Sequence, residues 1–253
     1  MSDPKDITSA LRTACEQPQG ELDVGIVLSH FIEPRRPVHE IRLRIEAFMG
    51  ELPTVTRTEQ LLTWFQESGF GRERRGAVAA KHSDVFAVLE SREGIPISQA
   101  LLLMGAARHS GMQSFGINYP GHFLIKVGDD VVDPLSLSIL KPDDLSEAVD
   151  LNNPAPVSMI ALRMLNNLKA LGLQSGDFSD ALDIIDVQLA ISMDAESSSS
   201  LHFERGELWL ELGAIGAARS AFIMCAETCP YPALAERARK RAGGLQVDDQ
   251  TLH

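Results

Sequence analysis

The pattern of apolar positions changes twice along the chain, from a helical period to β-rich runs at Phe115 and back to a helical pattern near Met159. In the first stretch Val38, Ile41, Ile45, Phe48 and Met49 recur three and four residues apart, giving VHEIRLRIEAFMG one apolar stripe. TRTEQLLTWFQESGFG follows, with Thr58 as a start signal and Gly69 as a stop. A basic loop containing Arg72, Arg74 and Arg75 leads into DVFAVLESREG, a helix expected to end at Gly94. Pro96 then interrupts, and SQALLLMGAARHSG predicts a helix stopped by Gly111. Its apolar residues cover most of its circumference, so burial on nearly all sides is expected.

In SFGINYPGHFLIKVGDDVVDPLS the runs FLIKV and VVD, separated by Gly128 and two aspartates, predict a β-hairpin. A two-residue turn at Gly128 and Asp129 would pair Val127 with Asp130. His122 and Asp133 would then lie diagonally adjacent on one face, whereas a three-residue turn would put them on opposite faces. PDDLSEAVDLNNPAPVS, with three prolines and several acids, marks a boundary between domains at 1–150 and 151–253. Beyond it the pattern is all-helical. Gly176 with Ala181 and Gly213 with Ala218 stand in equivalent places about 37 residues apart, close to the period of tetratricopeptide helix pairs. The run Ser197–Ser200 is expected to be a loop between the two units.

Composition narrows the partners. A net charge of −12 opposes phosphate backbones and anionic lipid, so neither nucleic acid nor membrane is an expected partner. Two Trp and two Tyr are few for a surface that stacks bases or sugars. The three cysteines, Cys15, Cys225 and Cys229, do not form a disulfide framework and fit a reducing compartment. With no basic–apolar leader and no apolar run of membrane length, a cytoplasmic protein is expected. No histidine has partners at metal-ligand spacing, and no glycine-rich phosphate loop occurs, so neither metal nor cofactor is expected.

Candidate chemistry lies within a short stretch. GIPIS puts Ser98 at the start of the apolar helix, YPGH puts His122 at the start of a strand, and VVDP puts Asp133 at the end of the next. A helix N-terminus favours a developing anion, a histidine could take the hydroxyl proton, and a carboxylate could fix the histidine tautomer. Each residue also has a structural reading. Ser98 is an ordinary N-cap, Asp133 before Pro134 is a turn opener, and His122 fits a buried histidine. His82, in KHSD, is assigned to capping or the surface. Asn118 and Tyr119, before the PGH turn, are candidate binding residues.

GIPIS and PGHF, within ESREGIPIS…GINYPGHFLIKVGDDVVDP, resemble the SirB1 family of the transglutaminase-like superfamily, from about FQESGFG through DPLS. The resemblance implies an α+β, papain/transglutaminase-like core of helices on a small antiparallel sheet. A tetratricopeptide-like helical repeat region would follow it. In the wider superfamily the order is Cys, His, Asp, and His122 and Asp133 match the last two. Ser98 stands where active members carry cysteine, and a hydroxyl is much harder to ionise than a thiol. The resemblance thus implies a non-transamidating pseudoenzyme or interaction module with a protein or peptide partner. The alternative is a serine-based amidase, peptidase-type hydrolase or acyltransferase using Ser98, His122 and Asp133.

Overall fold

The computed structural model describes residues 4–72, 76–141, 145, 149–192 and 194–245. Two compact units result, Met1–Asn167 and Leu168–His253. The architecture is α+β: helices with a four-stranded antiparallel sheet, then helices alone. Arg74 and Arg75 of the basic loop lie outside the described residues, as does part of the proline-rich acidic segment.

The first unit begins with α1 (Pro4–Glu16), α2 (Glu21–Ile32), α3 (Val38–Gly50) and α4 (Thr58–Glu67). The α3 stripe is buried through Ile41, Ile45, Phe48 and Met49, as its spacing predicts. Phe48 joins Trp64, Phe65 and Phe70 in an aromatic cluster, with centroids 4.7–5.8 Å apart. Thr58 does not cap α4; the N-cap is Arg57. The Thr58 hydroxyl instead donates to the Val127 carbonyl at 3.2 Å, tying the helix to the sheet.

A 3-10 turn at Ala80–His82 precedes α5 (Val85–Ser91) and α6 (Pro96–His109). α5 stops before the expected glycine because Arg92 takes the left-handed conformation, φ 62°. Its guanidinium lies 4.9 and 5.0 Å from the Phe48 and Phe70 rings, contacts that support this otherwise unfavourable backbone. Pro96 opens α6 rather than interrupting it, since a first-turn proline loses no helical hydrogen bond. Ile97 through Met104 are all buried, matching the all-round apolar pattern. α2 crosses α6 closely at Gly25, where a Cβ would sit 2.7 Å from Leu101 Cδ1.

The sheet runs β1 (Ser114–Tyr119), β2 (His122–Val127), β3 (Asp130–Asp133) and β4 (Ser138–Ile139), in that spatial order. Val127 pairs with Asp130 across the two-residue Gly128–Asp129 turn, the register the hairpin argument favours. Gly128 supplies the positive φ (58°) that such a turn requires. α6 covers the face carrying Ser114 and Val127, which pair with each other, and the Ser114 hydroxyl donates to the Met104 carbonyl at 3.1 Å. On the opposite face Ile117, Leu124 and Val131 form a separate cluster with Phe115, Tyr119, Leu140 and Leu151.

The unit boundary falls within α7 (Val157–Ser175), followed by α8 (Phe178–Ile191), α9 (Ala195–Glu211), α10 (Ile215–Thr228) and α11 (Pro232–Gly243). The sequence equivalence has a backbone counterpart. Gly176 and Gly213 have φ 75° and 72°, and the next residues, Asp177 and Ala214, have φ −85° with ψ 75° and 70°. Ala181 and Ala218 are both fully buried. The serine run is not a loop but the first turns of α9. Asp194 caps it, accepting from Ser197 N, while Ser198 and Ser199 donate to carbonyls four residues back. That local bonding reconciles four serines with a helix.

Candidate functional site

Pro96 fixes the first residue of α6, and this puts Ser98 in its third position rather than at its cap. The side chain is fully buried. Its Oγ accepts from Ile95 N at 3.1 Å and lies 2.6 Å from the His82 carbonyl and 2.9 Å from the Ile95 carbonyl. The hydroxyl has one proton to donate, and the shorter contact to His82 O identifies its main acceptor. Ile95 N also donates to the same His82 carbonyl at 3.1 Å. Ser98 is therefore a clasp between the start of α6 and the segment before α5.

That segment is more buried than the sequence suggested. His82 is 2% exposed, so it is not a surface residue, but it does cap: its Nδ1 accepts from the backbone N of Ala79, the N-cap of the 3-10 turn, at 2.9 Å. Asp84 caps α5 through Phe86 N and Ala87 N, and its other oxygen pairs with Arg36 at 2.7 Å. Arg36 also lies 4.0 Å from the centroid of the Phe86 ring. Ser29 accepts from Val85 N at 2.8 Å and donates to the Gly25 carbonyl at 2.9 Å. Capping could be read from Asp84 standing before VFAV, but nothing local pointed to Arg36, which comes from a distant loop.

His122 and Asp133 lie elsewhere. One step along the β2–β3 register, Asp133 stands opposite Leu124, so His122, Leu124 and Asp133 share a face by alternation. Leu124 belongs to the cluster on the side opposite α6. The alternation therefore turns His122 and Asp133 to one side of the sheet, while Ser98 lies in the helix on the other. His122 is exposed. Asp133 Oδ1 accepts from Leu135 N and Oδ2 from the Ser136 hydroxyl, both at 2.9 Å, closing the turn into β4. Among the described residues no hydrogen bond joins Ser98, His122 and Asp133.

Asn118 and Tyr119 precede the Pro120–Gly121 turn. Asn118 Oδ1 accepts from Arg163 of α7, whose other nitrogen reaches the His122 carbonyl at 3.4 Å. Arg163 also lies over Phe123 at 5.4 Å, and burial lowers its pKa from the usual value. Tyr119 packs in the cluster on the sheet's outer face. Arg163 thus locks the turn that carries His122, a role no sequence spacing announced. Among the described residues no group of three or more His, Cys, Asp or Glu side chains could hold a metal ion. Nor is any helix among them long and apolar enough to cross a membrane.

The sequence of residues 35–172, more than half of the chain, matches the transglutaminase-like superfamily, and the chain belongs to that superfamily. Its relatives include a UPF0162 protein of Xylella fastidiosa, 28% identical over 177 residues, which covers 62% of each chain. A UPF0162 protein of Pseudomonas aeruginosa is 26% identical over 187 residues, covering 66% of this chain and 69% of the relative. Another, from Vibrio cholerae, is 27% identical over 248 residues, covering 88% and 87%. The chain thus matches less than two thirds of the length of the first of these. No solved structure matches it.

Proposed function

We propose that this chain is a non-transamidating member of the superfamily, of the SirB1 kind, which works by binding a protein or peptide rather than by turning one over. The observation that carries the reading is the state of Ser98: fully buried, with its hydroxyl hydrogen-bonded to backbone. A serine nucleophile needs a base within hydrogen-bond reach and an open approach for the acyl group. Here the hydroxyl has a carbonyl acceptor instead, and a carbonyl takes no proton at neutral pH. The repeated helix pairs of the second unit fit a tetratricopeptide-like tail, an architecture suited to presenting extended surfaces.

The test is labelling of the intact protein with a serine-directed fluorophosphonate, with Ser98→Ala and His122→Ala as comparators. The expected result is no labelling in any of the three. Wild-type labelling that disappears in both variants would sink this reading and support the serine hydrolase built on Ser98, His122 and Asp133.

A further inference from the structure

Charge is unevenly spread over the helices of the second unit. α8 carries Asp180, Asp183 and Asp186 with no cation, whereas α11 carries Arg237, Arg239, Lys240 and Arg241 against one acid, Glu236. In a chain of net charge −12 this helix is a local reversal of sign. Lys240 and Arg241 fall in its last turn, where cations suit the helix dipole, so their mere presence is ordinary. Their surroundings are less so.

Arg241 pairs through Nε and Nη2 with Glu207 and lies 5.5 Å from the Phe222 ring. Arg239 is matched by Glu236 at 3.4 Å. Arg237 and Lys240 have no carboxylate partner among the described residues, and Arg237 is held over the Phe203 ring at 4.8 Å. Residues three and four apart share a helix face, so Arg237, Lys240 and Arg241 form one cationic edge. That edge borders a groove of about 710 Å³ lined also by Phe203, Gly244, Leu245 and Glu207, the last paired with Arg241.

We propose that the groove between α9 and α11 docks an acidic peptide segment that also carries an apolar side chain. The proposal rests on the interaction reading above and names the chemistry of the partner. Carboxylates would meet Arg237 and Lys240, and an apolar side chain would cover Phe203 and Leu245. Stacking on Phe203 holds the Arg237 guanidinium in place before binding, which reduces the ordering entropy that binding must overcome. A nucleic-acid backbone fits poorly: two uncommitted cations neutralise little of it, the rest of the chain repels it, and phosphates make no use of an apolar floor.

The experiment is an anisotropy titration of the full chain into a fluorescein-labelled peptide alternating glutamate and leucine. Saturable binding is expected, weakened about tenfold when salt is raised from roughly 0.05 to 0.5 M. Lys240→Glu, which breaks no side-chain hydrogen bond or ion pair among the described residues, should weaken it about fivefold, and Arg237→Glu with Lys240→Glu should abolish it. Circular dichroism of each variant would establish that it folds. The proposal is overturned by absence of saturable binding, by equal affinity for a glutamine–leucine peptide, or by wild-type affinity in K240E. Displacement by tripolyphosphate at lower concentration than by unlabelled peptide would likewise overturn it, marking a general anion patch. Failure here with Ser98 unlabelled by fluorophosphonate removes only the groove. Labelling of Ser98 removes the interaction reading whatever the peptide does.

Discussion

At Ser98 hydroxyl chemistry and helix architecture compete for one oxygen. The same atom that a catalytic reading assigns to attack accepts from Ile95 N and donates to the His82 carbonyl. The direct Ile95 N to His82 O bond survives its removal, so neither backbone group would be left unpaired. Ser98→Ala is therefore expected to cost only about 1 kcal/mol, the net worth of a typical hydrogen bond, rather than the larger penalty for an orphaned buried group. Urea denaturation measures this; a loss above about 3 kcal/mol would mean that the clasp holds more than these bonds. The motif order told where this residue stands in the chain but not which way its hydroxyl turns. That depends on His82, sixteen positions upstream and silent about burial in its own neighbourhood.

At the scale of elements, periodicity gave more than punctuation did. The α3 stripe, the all-round burial of α6 and the two-residue hairpin turn were legible because each follows from local spacing. Start and stop signals were less reliable, since Thr58 bonds to a strand and Arg92 ends α5 through contacts with distant rings. The serine run resembles a loop in sequence, because its helix depends on Asp194 and on hydroxyls folding back to carbonyls. Small residues at helix crossings form a further class. A Cβ at Gly206 would meet Phe222 ring atoms at 2.6–2.8 Å. Phe222 is fully buried and cannot swing into solvent. Gly206→Ala gains helix propensity worth up to about 1 kcal/mol but should still be net destabilising, because overpacking costs about 1–3 kcal/mol. A melting temperature equal to or above that of wild type would show that α9 and α10 can separate without loss.

For the whole molecule, proton uptake links both units to alkaline stability. Burial, with a smaller contribution from Glu16, pushes the Cys15 thiol up to about 11. Burial, followed by the neighbouring Cys229, does the same for Cys225. A raised folded-state value means that the unfolded chain loses these protons first. Their contribution is intact below pH 9.0 and declines as pH rises towards about 11. Melting temperatures across that window should fall less steeply in Cys15→Ala with Cys225→Ala than in wild type. Identical slopes would assign the decline to other groups. The fold class was legible from the three-part periodicity and the GIPIS and PGHF motifs, but the opposition of Ser98 to His122 and Asp133 was not. Their order along the chain says nothing about which face of a sheet a helix covers.

The contacts of α7 and of the residues just before it bear on where the chain can be divided. Ala155 N donates to the Gly116 carbonyl, Ile160 lies against Gly116, and Arg163 holds Asn118 and the His122 carbonyl. A fragment ending at residue 150 would leave an unpaired sheet carbonyl, a bared Phe123 face and a released turn, all invitations to aggregate. A soluble first unit should therefore carry its sequence through at least Asn167, and proteases given the intact chain should find the first turns of α7 a poor substrate.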